Sequence, residues 1–144
     1  MATTAVIDDD SVFAHLLREV LTDAGYDTRV FRAISHIYEA EARESVGGDV
    51  VYQQLRAMQP DAIVLDIPVG RRVAALALLD AIRSDTALGA RRLIICVPPD
   101  GPAGAASSLR EAGYTTLVKP FDLDELVALI DHILVPQNRY MLRG

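Results

Sequence analysis

Thr4-Ala5-Val6-Ile7-Asp8-Asp9-Asp10 is the stretch that decides how this chain reads. Four uncharged residues, three of them apolar, run directly into three carboxylates. A short run apolar throughout reads as a strand buried on both faces, as in a parallel sheet. The acids then stand at its carboxyl end. Two later segments repeat the arrangement. Ala62-Ile63-Val64-Leu65 ends at Asp66, and Thr115-Thr116-Leu117-Val118 ends at Lys119-Pro120-Phe121. Carboxyl ends on one edge of a parallel sheet meet in space. Carboxylates gathered there repel one another, so a divalent cation is their natural partner, with one carboxylate left to react. A lysine in the same cluster suits a phosphoryl group. Pro120 favours an extended backbone at Lys119. The plain alternative for Asp8-Asp9-Asp10 is a strand end with Asp10 or Ser11 capping the next helix.

Outward from these segments, apolar runs alternate with helical spacing. Phe13, Leu16, Leu17, Val20 and Leu21 form a stripe, with Gly25 placed to end its helix. Asp27 to Phe31 reads as a second strand. Pro60-Asp61 introduces the third, and Leu76, Leu79 and Ile82 mark the helix after it. Leu93 to Val97 is a fourth strand. Ala103 to Ala112 reads as a short helix stopped by Gly113. Asp122 caps the last helix with Glu125 three residues on, and Leu123, Leu126, Val127, Ile130 and Leu134 line its apolar face. Five βα units make a doubly wound α/β fold with a five-stranded parallel sheet, whose ligand site lies beyond the strands' carboxyl ends. The stretch 33–59 is longer than one helix needs. Ile34, Ile37 and Tyr38 begin a helical pattern, Ser45-Val46-Gly47-Gly48 interrupts it, and Val50, Val51, Leu55 and Met58 restart it. A helix, a loop and a second helix are expected there. Residues 1–134 read as one domain and 135–144 as a tail opened by Pro136.

The totals bound the function. The chain has 144 residues, 51% of them hydrophobic, which allows one domain with an aliphatic core. A domain of this size buries roughly 70% of its unfolded surface. The net charge of −6 argues against a nucleic-acid-binding surface, which needs a basic stripe. No apolar stretch approaches a membrane span, and the acidic N-terminal segment does not read as a signal peptide. A soluble cytoplasmic protein is expected. Cys96 lies inside an apolar run and reads as a small core residue. His15, His36 and His132 read as ordinary helix residues, Tyr114 and Phe121 as packing residues, and Arg139 and Arg143 as solvated.

Three segments together, Ala5-Val6-Ile7-Asp8-Asp9-Asp10, Ala62-Ile63-Val64-Leu65-Asp66-Ile67 and Tyr114-Thr115-Thr116-Leu117-Val118-Lys119-Pro120-Phe121-Asp122, resemble the response-regulator receiver domain of two-component signalling. The resemblance spans residues 3–134. It implies a flavodoxin-like sheet order, here with an enlarged second helical region. It implies Asp66 as phosphoacceptor from a phosphohistidine on a sensor histidine kinase or histidine phosphotransfer protein. Asp9 would bind Mg²⁺ directly and Asp8 through water. Asp66 and the Pro68 carbonyl would complete the metal shell, and Lys119 would hold a phosphoryl oxygen. Phosphoryl transfer is mainly positioning plus charge neutralisation, which one Mg²⁺ and one lysine largely supply.

The chain also departs from that pattern. The family's Thr or Ser at the end of the fourth strand is Val97 here, and the residue after it, whose N–H reaches the phosphoryl group, is Pro98. Pro68 replaces a third donor, since proline has no N–H. Thr116 stands where the family has an aromatic switch residue. The loop after Asp66 is one residue longer and lacks the family's Met-Pro pair, while Arg71 and Arg72 lie near it in sequence. Each missing bond to a charged group removes about 1.5–3 kcal/mol.

Three functions therefore compete. The first is a phosphorylatable receiver without an output domain, acting through protein contacts; it would be no enzyme beyond self-phosphorylation on Asp66, and a homodimer is compatible with it. The second is a pseudo-receiver that binds partners without phosphate. The third rests on Asp-x-Asp after an apolar strand, which resembles the first motif of haloacid-dehalogenase-like phosphatases. That family also needs a late acidic pair, and none directly follows the fourth strand.

Overall fold

A computed structural model describes residues 2–8, 11–31, 46–67, 72–88, 92–98 and 105–134, with backbone alone at 11, 46–50, 72–74 and 105–107. Five strands alternate with helices: β1 (Thr3–Ile7), α1 (Ser11–Asp23), β2 (Asp27–Phe31), α2 (Val46–Met58), β3 (Ala62–Asp66), α3 (Arg72–Ser84), β4 (Arg92–Val97), α4 (Ala105–Glu111), β5 (Thr115–Val118) and α5 (Leu123–Leu134). All pairings are parallel, in the order β2-β1-β3-β4-β5. The five-stranded doubly wound sheet is thus the expected one.

Period-2 alternation divides the core into two layers. Ala5, Ile7, Ile63, Leu65, Ile95 and Val97 face one side, where Val51 and Leu55 of α2 and Leu79 and Ile82 of α3 cover them. Val6, Val64, Ile94 and Cys96 face the other, against Leu17 and Leu21 of α1 and Leu126 and Ile130 of α5. Each large aliphatic side chain buried this way contributes about 2 kcal/mol. Both layers converge on the same three central strands, so the carboxyl ends of those strands are held rigidly.

The connections show why the register holds. Thr4 and Thr28, both buried, share a hydroxyl–hydroxyl bond of 2.8 Å across β1 and β2. The Asp61 carboxylate accepts the Thr3 N–H at 2.8 Å, tying the start of β1 to the start of β3. Helices α1 and α4 end in the same way. Gly25 and Gly113 adopt φ of +99° and +96°, conformations that cost a Cβ-bearing residue energy. Their N–H groups donate three residues back, to Thr22 and Arg110. The tyrosines that follow, Tyr26 and Tyr114, donate five residues back, to Leu21 and Leu109. Both ends are Schellman motifs. At α5 the Asp122 N–H reaches Glu125 Oε1 at 3.5 Å, one half of the expected reciprocal cap.

Two expectations change. Val46-Gly47-Gly48 is the first turn of α2, not a loop. Glycine costs roughly 1 kcal/mol per helical position, and the burial of Val51 and Leu55 on the same helix outweighs this. The earlier part of that stretch, including Ile34, His36, Ile37 and Tyr38, lies outside the described residues, as does the tail 135–144. Leu16 and Leu76 are also less buried than their stripes suggested, at 45% and 38% exposed. The inward arcs centre on Ala14, Leu17 and Leu21 and on Ala75, Leu78, Leu79 and Ile82, so each exposed leucine lies at an arc's edge.

Candidate functional site

The parallel register brings three of the expected groups to one edge. Asp8 follows β1 directly, and its N–H donates to the Phe31 carbonyl at 3.0 Å. Asp66 is the last residue of β3 and pairs with Cys96 of β4. The Ile67 N–H donates to the Cys96 carbonyl at 2.9 Å, which carries the β3 ladder one residue beyond Asp66. Lys119 follows β5, and its N–H donates to the Val97 carbonyl at 2.9 Å. The Lys119–Pro120 peptide bond is cis. Beside it Phe121 packs edge-on against Phe13 of α1, with ring centroids 5.8 Å apart.

Both described carboxylates are buried, Asp8 at 2% and Asp66 at 5% exposed. The Lys119 ammonium, about one-third exposed, forms an ion pair with Asp66 Oδ1. Burial works against the charged ammonium. The bond to Asp66 and the negative fields of Asp66 and Asp8 together outweigh it, so the Lys119 pKa is raised. Carboxylate oxygens at the ends of neighbouring strands are the donor type that suits a hard divalent cation. Among the described residues no cluster of three or more His, Cys, Asp or Glu side chains occurs. Asp9, expected as the third carboxylate, lies outside the described residues, as do Asp10, Pro68 and Arg71; the side chain of Arg72 lies outside them too.

The substituted positions also have their places. Val97 is 1% exposed and packs in the aliphatic layer with Leu65 and Ile95. Its neighbour Pro98 is half-buried. Thr116 pairs with Ile95 and accepts a 2.6 Å bond from Arg110 Nε on α4. Cys96, read from the sequence as a small core residue, lies on the Asp66 side of the sheet. Burial pushes its thiol pKa far up, and the charge of Asp66 adds to the effect. Strand alternation from Val64 to Asp66, carried across to β4, is the signal that would have placed it there.

A predicted pH dependence follows from Lys119 and Tyr26. Tyr26 is buried and donates its hydroxyl to Asp131 of α5; burial first, then that bond and the charge of Asp131, raise its pKa. In both groups the folded state holds the proton more tightly than the unfolded chain does. Their stabilisation is present in full below the unfolded values, about 10 for tyrosine and 10.4 for lysine. It is lost as pH rises through the higher folded values. Denaturant titrations at increasing pH should therefore show stability falling above about pH 10. Tyr26→Phe should be about 1 kcal/mol less stable at pH 7 and fall less steeply in alkali. An equally steep fall in the variant would remove Tyr26 from this account.

No protein-family model matches the chain. It is 29% identical over 129 residues to the DNA-binding transcriptional regulator NtrC of Klebsiella pneumoniae, and 28% identical over 129 residues to that of Escherichia coli K12. Each match covers 90% of this chain and 24% of the relative, so the chain spans about a quarter of the length of these curated relatives. Among solved structures, a protein of Chloroflexus aurantiacus assigned as a response regulator superposes with a TM-score of 0.70 at 26% identity, covering 93% of this chain and 98% of the other. A response regulator receiver protein from Burkholderia phymatum gives 0.67 at 20% identity, covering 93% and 95%. A response regulator from Thermotoga maritima gives 0.69 at 17%, covering 94% and 98%. The last two bear on the fold alone. The chain has the fold of response-regulator receiver domains and is similar to them in sequence.

Proposed function

We propose that this chain is a receiver domain of two-component signalling in which Asp66 accepts a phosphoryl group, and that it signals through protein contacts. The observation that carries this reading is the buried Asp66 at the carboxyl end of β3, ion-paired to Lys119 and neighboured by the buried Asp8. A carboxylate held there, beside an ammonium, would be the nucleophile toward phosphorus. One Asp66 oxygen forms the bond to phosphorus as the bond to a histidine nitrogen breaks, and the imidazole leaves with the bonding electron pair and takes up a proton. Lys119 offsets charge on the phosphoryl oxygens. Asp8, Asp9, Asp66 and the Pro68 carbonyl would hold Mg²⁺, which supplies charge neutralisation when bound. The donors would be a sensor histidine kinase or a histidine phosphotransfer protein. DNA binding, named for the NtrC relatives, is not carried over, given the net charge of −6.

A second reading, a pseudo-receiver that binds partners unmodified, is favoured by Val97 buried in the aliphatic layer and by Pro98, which has no N–H to offer. Intact mass after incubation with Mg²⁺ and acetyl phosphate separates the two. A phosphoryl adduct that Asp66→Asn abolishes supports the receiver. A folded protein that binds Mg²⁺ yet gains no adduct, from acetyl phosphate or from a phosphorylated histidine phosphotransfer protein, supports the pseudo-receiver. An adduct that persists in Asp66→Asn would place the acceptor elsewhere.

A further inference from the structure

At the opposite edge of the sheet, where β4 and β5 begin, a cavity of about 320 Å³ opens between α3, the turn after α4 and the end of α5. Its charged lining is two arginines, Arg83 from the last turn of α3 and Arg92 from the first residue of β4. Tyr114 lies under Arg83, the guanidinium carbon 5.4 Å from the ring centroid. Leu88, Leu93 and Ile133 supply apolar walls. Among the described residues no carboxylate lines the cavity, and none pairs with either arginine.

In a chain with 20 acidic and 14 basic residues, two unneutralised guanidinium groups on one apolar-walled cavity are a local reversal of charge. We infer that this cavity binds a small organic anion: a flat apolar group carrying one phosphate or carboxylate. Ligand pockets begin at about 300 Å³ and combine apolar walls with a few polar groups that fix orientation, as here. At about 30 Å³ per water-sized atom, the space holds about ten such atoms, enough for one ring and its acidic group. The guanidinium is a planar fork that matches phosphate and carboxylate with paired bonds. Stacking on Tyr114 restrains the Arg83 fork before a ligand arrives, which lowers the ordering cost of binding. The acidic edge around Asp8 and Asp66 repels the same ligand, so the two ends of the sheet sort charges in opposite ways.

Phenyl phosphate is the probe, titrated in EDTA into the ¹⁵N-labelled chain. Inorganic phosphate serves as the anion without the ring, and benzyl alcohol as the ring without the anion. The expected result is saturable shifts at the amides of Arg92, Gly113 and Tyr114. Arg83→Gln and Arg92→Gln should each weaken affinity about tenfold, the loss of one charge-assisted contact, and both controls should bind more weakly by a similar factor. Both arginines are exposed, so unchanged thermal midpoints are expected and would show the variants folded. No saturable shift, shifts centred elsewhere, equal affinity in both glutamine variants, or equal binding of either control would overturn the assignment.

Discussion

Val97→Thr combined with Pro98→Ala is expected to raise the steady-state yield of acyl phosphate at Asp66 by about a hundredfold. Each substitution returns one hydrogen-bond donor to the end of β4, the threonine hydroxyl and the alanine N–H. A bond to a charged acceptor stabilises by about 1.5–3 kcal/mol. Two at the lower bound give about 3 kcal/mol, or about two powers of ten. The increase has a cost in the unmodified protein. Val97 is 1% exposed among Leu65 and Ile95, so a hydroxyl there is buried without an assured partner. The unphosphorylated double variant should be about 1–2 kcal/mol less stable, and the phosphorylated form should recover part of that loss. Mass spectrometry during acetyl phosphate turnover reads the yield, and thermal midpoints with and without the donor read the recovery. An unchanged yield would show that donors at β4 do not limit the reaction. The single Val97→Thr should give about a tenfold gain, which separates the hydroxyl from the backbone contribution.

The ease of reading this fold has a physical origin. β1, β3 and β4 are buried on both sides, so their signal is continuous apolarity, and each ends at the first polar residue or proline. That boundary is also where a parallel sheet puts its chemistry, so Asp8 and Asp66 could be placed from the same information that placed the strands. Lys119 was placed by Pro120 and by its rank as the last strand's end. What failed to show were features that depend on direction rather than on polarity. Leu16 and Leu76 are apolar and helically spaced, yet only the packed arc decides that both face water. Gly47 and Gly48 have low helix propensity, and the anchoring of α2 by Val51 and Leu55 overrides it. The arginine-lined cavity was invisible for another reason. Its walls come from the end of α3, the start of β4, the turn after α4 and Ile133, with nothing local to join them.

Lys119→Met is expected to expose the conflict that the lysine now resolves. Methionine keeps much of the apolar stem and removes the charge. Asp66 and Asp8, at 5% and 2% exposed, are then left as two buried carboxylates without the ammonium. Removing one partner of a buried ion pair costs about 3–5 kcal/mol. Lys119 is itself 32% exposed, so solvent already screens part of its charge, and about 2 kcal/mol is the better expectation. For a domain of this length that lowers the thermal midpoint by about 8 °C in EDTA at neutral pH. Mg²⁺ should narrow the gap. A cation bound by the two carboxylates takes over the neutralising role, so the midpoint shift from EDTA to Mg²⁺ should be larger in Lys119→Met than in the parent chain. The double variant Lys119→Met with Asp66→Asn should lose most of that extra shift, since one anionic ligand is gone. Equal Mg²⁺ shifts in parent and Lys119→Met, with the EDTA destabilisation present, would mean that the carboxylates hold the lysine but no cation. A variant as stable as its parent in EDTA would mean that the ion pair contributes little to the fold and that the raised lysine pKa reflects local charge without net stabilisation.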